Sequence, residues 1–269
     1  MTKSLSKILT GGIAAALLVT VAGTANAAPA RPNVDFTAAI AQAVRDVPDG
    51  SLSVAIFDRT TNTMVGTHTP DTPWYTESVV KLLIGLYSMD HGGSASQVSE
   101  MISRSDDDTA DQLWDDLGGT KIVTGMATKI GLKHTTPPAN PNEWGDTRVT
   151  ATDMVQLYQY IFNTAPATER TTIITAMHNA TNLGEDGTDQ YFGIPYAVGS
   201  ATYWAVKQGW ACCEPHWVLN TTGIVGAGQR YIVVALSSFN SGGNTTAVFT
   251  KDSAELTQAI KDLVPDLTA

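Results

Sequence analysis

Cysteine is scarce in this sequence: there are two, and they are neighbours, Cys212 and Cys213. A chain stapled by long-range disulfides is therefore excluded by arithmetic. Adjacent cysteines leave three states open: a strained disulfide between neighbours, a link between chains, or two thiols. Histidine is equally thin. His68, His91, His134, His178 and His216 never fall at metal-ligand spacing, and no Gly-x-Ser-x-Gly elbow accompanies them. A zinc centre and a Ser-His-Asp triad are not expected. No dinucleotide or P-loop glycine pattern follows a strand either, so neither cofactor nor metal is expected. Basic charge is also short, with 16 Lys and Arg against 26 Asp and Glu and a net charge of −10. Nucleic acid and anionic membranes reward clustered Lys and Arg, so neither is an expected partner.

What is present begins with an export pattern. Lys3 and Lys7 precede an apolar segment, Ile8 to Gly23, and Ala25-Asn26-Ala27 has the small-x-small form of a signal-peptidase site. Residues 1–27 read as a removed secretory signal. No cysteine follows that site to carry a lipid, so the mature chain is expected to be secreted, extracellular and without a stable membrane anchor. Roughly 240 residues then remain for residues 28–269, enough for a single domain, expected as a monomer. A hydrophobic content of 43% is ordinary for a globular protein and excludes disorder.

Period divides the chain into three stretches. Asp35 to Val47 has the apolar spacing of a helix, and Ser51 to Asp58 alternates, with Leu52, Val54 and Ile56 on one side. With Thr63 to Thr67 it forms an expected β-hairpin. From about 76 to 180 the pattern is helical: 76–89, 95–103, 109–117, 121–130, 150–162 and 167–179, punctuated by Gly92-Gly93, Gly118-Gly119, Gly131 and Pro137-Pro138. Strands return at 202–210, 217–225 and 230–237, and a helix over 253–263 closes the chain. Strands at both ends of a helical middle predict an α+β layered fold. An antiparallel sheet lobe built from 31–76 and 196–269 then carries an inserted all-helical lobe, 77–195.

One lysine stands out. On the helix expected from Thr76 to Met89, apolar residues cover most of the circumference, so Lys81 cannot easily avoid low dielectric. Burial depresses a lysine pKa, which is how a lysine becomes a base near neutral pH. Ser78 lies three residues earlier on the same face, in a first turn whose free N–H groups favour an oxyanion. The pair reads as a nucleophile and its base. The bland alternative is a lysine that snorkels outward from the helix edge. Spacing alone is weak, since Ser4 and Lys7 share it inside the expected signal.

Order adds weight. Ser78-x-x-Lys81, then Ser105-Asp106-Asp107, then Lys207-Gln208-Gly209 resemble the three motifs of serine β-lactamases and penicillin-binding proteins. The likeness is greatest to class A β-lactamase-like secreted serine hydrolases of actinobacteria. It implies that Ser105 relays a proton and that Lys207 holds the electrostatics of the site. It also implies that the Trp210 N–H joins that of Ser78 in an oxyanion hole. Asp107, Gln208, Gly209 and Trp210 would then face the substrate, a small molecule or peptide, in keeping with a cell-wall origin. Ser105 also reads as the N-cap of the next helix. Cys212 and Cys213, just past Trp210, would lie at the cleft rim.

Three departures qualify the likeness. Asp107 stands where the family has Asn, and an ionised Asp favours the Lys81 ammonium. Gln208 replaces a hydroxyl that meets the substrate's carboxylate; its amide could still donate, and Arg230 and Lys207 are the remaining cationic candidates. The Ω-loop glutamate that activates the deacylating water has no clear counterpart, because Pro137 to Thr150 is short and Glu143 is its only Glu. Acylation is thus better supported than turnover of β-lactams. The competing reading is a catalytically decayed binding module for cell-wall peptide or protein.

Overall fold

Residues 34–212 and 216–268 are described by a computed structural model; the expected signal, 1–27, and Cys213 lie outside the described residues. Helix α1 (Thr37–Arg45) leads into β1 (Gly50–Asp58), β2 (Thr63–His68) and a short β3 (Trp74–Tyr75). The helical middle comprises α2 (Lys81–Asp90), α3 (Ala95–Arg104), α4 (Asp107–Leu117) and α5 (Thr120–Ile130). It continues, after a short β4 (Arg148–Val149), with α6 (Ala151–Asn163), α7 (Ala167–His178) and α8 (Ile194–Val198). Strands β5 (Trp204–Ala211), β6 (Trp217–Val225) and β7 (Tyr231–Phe239) precede α9 (Thr246–Leu267).

The five long strands form one antiparallel sheet in the order β2-β1-β7-β6-β5, as the alternation at both ends of the chain predicts. Period-two parity sorts its side chains into two cores. Ala55, Phe57, Ile232, Val234 and Leu236 join the helices of the middle. Leu52, Val54, Ile56, Val233 and Ala235 pack instead against α1 and α9 through Phe36, Ile40, Leu256 and Ile260. The fold is thus the α+β layered arrangement expected, with β5 at the sheet edge.

Local chemistry fixes the helix ends. Ser94, Asp106 and Thr150 cap α3, α4 and α6 by accepting from the amides of Gln97, Thr109 and Asp153. Gly118 and Gly131 end α4 and α5 in the left-handed conformation. One expectation is corrected here. Ser105 is not the N-cap of α4; it closes α3 with φ 56°, and Asp106 takes the capping role.

The helix expected from Thr76 also differs. Residues Glu77–Val80 form a 3-10 turn, and α2 begins only at Lys81. The cause is tertiary: the Thr76 amide donates to Thr147 O at 2.8 Å, and Asn220 Nδ2 donates to Tyr75 O at 2.8 Å and to Thr76 O at 3.3 Å. These bonds hold the approach to Ser78 in place, and Glu77 is forced to φ 47°.

Candidate active site

Ser78 emerges from that 3-10 turn with only 6% of its surface exposed. One turn further on, Lys81 is wholly buried, and its Nζ donates to Ser78 Oγ at 2.7 Å, to Ser105 O at 3.0 Å and to a carboxylate oxygen of Asp107. Burial drives the Lys81 pKa down, and Asp107 beside it pulls the other way. A Trp144 ring from the 144–146 turn lies over the ammonium, 4.6 Å from Nζ to centroid.

Ser105 links the two lysines. Its carbonyl faces Lys81, while its hydroxyl accepts from Lys207 Nζ at 2.8 Å. The left-handed backbone of Ser105 turns both groups inward, a conformation uncommon outside Gly, Asn and Asp. Lys207 is 1% exposed, and its pKa falls well below the usual lysine range through burial and then the nearby charge of Lys81.

Strand parity places the third motif. Ala205 lies on the helical face of β5, and Lys207 and Gly209 share that face by period two. Val206 and Trp210 belong to the opposite layer, and Gln208 lies with them. Gln208 therefore turns away from Ser78: its amide donates to Phe192 O at 2.5 Å, and its Oε1 is buried without a partner among the described residues. The expected donation from Gln208 to a substrate carboxylate is corrected by this orientation.

Gly209 has the opposite constraint. A Cβ there would sit 2.5 Å from Thr76 O and 3.1 Å from a Val79 methyl, so glycine lets β5 close on the turn that carries Ser78. The Trp210 indole packs near Phe192, with its N–H donating to Asp186 at 2.9 Å. Arg230 is not in the site. It is buried one residue before β7, two strands from β5, and donates to Asp58 at 2.7 and 3.0 Å. Glu143 is exposed, and it is Trp144 rather than Glu143 that covers Lys81. Cys212 is disulfide-bonded.

Ser78, Lys81, Ser105, Asp107 and Lys207 are thus brought together from three separate stretches of chain. Sequence reasoning missed Glu77, Trp144 and Asp186. Glu77 directly precedes the nucleophile, and its carboxyl is pushed up to about 8 by burial and by Asp146 and Glu143. Only adjacency to Ser78 could have singled it out.

Comparison with known proteins places this geometry. Residues 94–262 match the model of the family described as Beta-lactamase2, "Beta-lactamase enzyme family". The chain is 32% identical over 256 residues to "Putative lipoprotein LppW" of Mycobacterium tuberculosis (strain ATCC 25618 / H37Rv), covering 88% of this chain and 78% of that protein. Among solved structures, PBP-A aligns with a TM-score of 0.68 at 17% identity, over 88% of this chain and 98% of its own. A variant of PBP-A, solved as an acyl-enzyme complex with penicillin-G, aligns at 0.67. The ancestral (GNCA) class A β-lactamase aligns at 0.67 with 16% identity, over 86% of this chain and 100% of its own. At such identities these structures speak to the fold, which is the β-lactamase/transpeptidase-like fold. The family match spans more than half of the sequence, and the three motifs meet around one buried lysine: the chain belongs to the beta-lactamase enzyme family.

Proposed function

We propose that the chain is an exported serine hydrolase in which Ser78 attacks an amide or ester carbonyl and becomes acylated. The observation that carries this reading is the 2.7 Å approach of a wholly buried Lys81 Nζ to Ser78 Oγ. Burial makes the neutral amine accessible, and that amine takes the Ser78 proton as Oγ bonds to the carbonyl carbon. Ser105 lies between Lys81 and Lys207 and offers the proton a path to the leaving group. Lys207 Nζ also donates to Gln208 O at 3.0 Å, which puts that carbonyl on the open edge of β5. By period two the Trp210 N–H points off the same edge, towards the turn of Ser78, where it can share the oxyanion with the Ser78 N–H.

Acyl donors of the β-lactam or D-Ala peptide type fit a nucleophile of this family. Export is supported by the N-terminal pattern and by a relative named as a lipoprotein. Cysteine occurs only at 212 and 213, so no cysteine directly follows Ala27, the expected cleavage site. No described helix is long and apolar enough to cross a membrane. We further propose that Cys212 pairs with Cys213 and stiffens the end of β5. Mild reduction should then lower the labelling rate at Ser78; an unchanged rate with unchanged thermal stability removes that role.

Covalent labelling tests the main reading. A fluorescent penicillin or fluorophosphonate should mark the folded wild-type protein, and Ser78→Ala should abolish the mark. Folded wild-type protein left unlabelled overturns it, and peptidoglycan retention without any acyl-enzyme would favour the binding module instead.

A further inference from the structure

The carboxyl of Glu77 has no hydrogen-bond or ion-pair partner among the described residues, although it is half-buried and stands next to the nucleophile in the chain. Desolvation without a protein partner is costly even for a half-buried acid, and it leaves the carboxyl open to a ligand or a water. Its surroundings make the cost larger. Glu143 and Asp146 face it from the 143–146 turn, β5 presents Gly209 against its Cβ, and none of these offers a positive charge. Its backbone is held in the left-handed region at φ 47°, which a non-glycine residue sustains only where its surroundings impose it.

Position gives this group a use. An oxygen of Glu77 lies 3.0 Å from where a Cβ on Gly145 would sit, so the side chain extends against the 144–146 turn. The same turn supplies the Trp144 ring that covers Lys81, whose Nζ is 2.7 Å from Ser78 Oγ. The Glu77 carboxyl thus lies on the side of the short loop, one residue from Ser78 in the chain, while Asp107 approaches Lys81 from α4. We propose that Glu77 is the general base that activates water to release the acyl group from Ser78. The inference rests on the acyl-enzyme reading above.

The step balances within the site. Glu77 carboxylate removes a proton from water as the water oxygen bonds to the acyl carbon, giving a tetrahedral oxyanion. Collapse breaks the bond between that carbon and Ser78 Oγ, Oγ regains a proton from Lys81 or Glu77, and a carboxylic acid leaves. With the Glu77 carboxyl raised to about 8, the base form is the minority at neutral pH. Deacylation should therefore climb about tenfold per pH unit up to about pH 8 and level off above it. Attack by free hydroxide would keep climbing instead.

The experiment follows the decay of the fluorescent-penicillin adduct on the full chain by intact mass from pH 5.5 to 9.5, for wild type and Glu77→Gln. Wild type should show the plateau. Labelled Glu77→Gln should lose the plateau and decay about 100-fold more slowly at pH 9, with partial recovery in Glu77→Asp. Labelled Glu77→Gln that decays at the wild-type rate and with the wild-type profile overturns the inference while leaving the nucleophile intact. Failure of wild type itself to form an adduct removes the Ser78 reading, and this inference with it.

Discussion

Asp107 holds Lys81 towards its charged form, opposing the burial that would otherwise free the amine. Removing that negative charge should help the base. In Asp107→Asn the Lys81 pKa falls further, more of the amine is neutral at a given pH, and the acid limb of the acylation profile moves to lower pH. Stopped-flow labelling against pH checks the direction; a limb that moves upward shows that Asp107 does more than hold charge. Ser78 and Lys81 are legible in the sequence because a spacing of three fixes one helical face whatever surrounds it. The role of Asp107 is legible as well, since a carboxylate has only one way to answer a buried ammonium. Gln208 is different. Parity says that it shares a face with Trp210, but the Phe192 carbonyl that takes its amide belongs to a segment 16 residues earlier in the chain.

Glycine at 209 is what allows β5 and the 3-10 turn to meet. Adding one methyl places carbon 2.5 Å from Thr76 O, a backbone atom that Asn220 already holds in place. Gly209→Ala should lower stability by about 1–3 kcal/mol through overpacking. A shift of the strand by even one ångström could slow acylation on the order of 100-fold, because attack depends on alignment. Thermal melts and labelling rates measure the two effects separately, and wild-type values for both would show that the contact is slack. The elements themselves follow from local rules: Ser94, Asp106 and Thr150 cap, Gly118 and Gly131 terminate, and alternation marks the strands. The 3-10 turn does not, because it is imposed by Thr147 and Asn220 from distant elements.

The molecule is held by two cores on opposite faces of one sheet, and the Asp58–Arg230 pair closes the end of that sheet. Both side chains are nearly buried, so Asp58→Ala leaves a guanidinium without its partner and should cost about 3–5 kcal/mol. Because Arg230 lies two strands from β5, the folded fraction should label at Ser78 as wild type does; a slowed label would mean that the pair reaches the site. Apolar periods and turn residues, which are local, already determine the layered α+β architecture and the order of the three motifs. Which groups meet Lys81 is a matter of assembly. The proximity of Ser105 to both lysines, the Trp144 cover and the isolation of the Glu77 carboxyl all arise from contacts between segments far apart in the chain. Burial and through-space charge, which set the pKa of each group, come into being only when those segments pack.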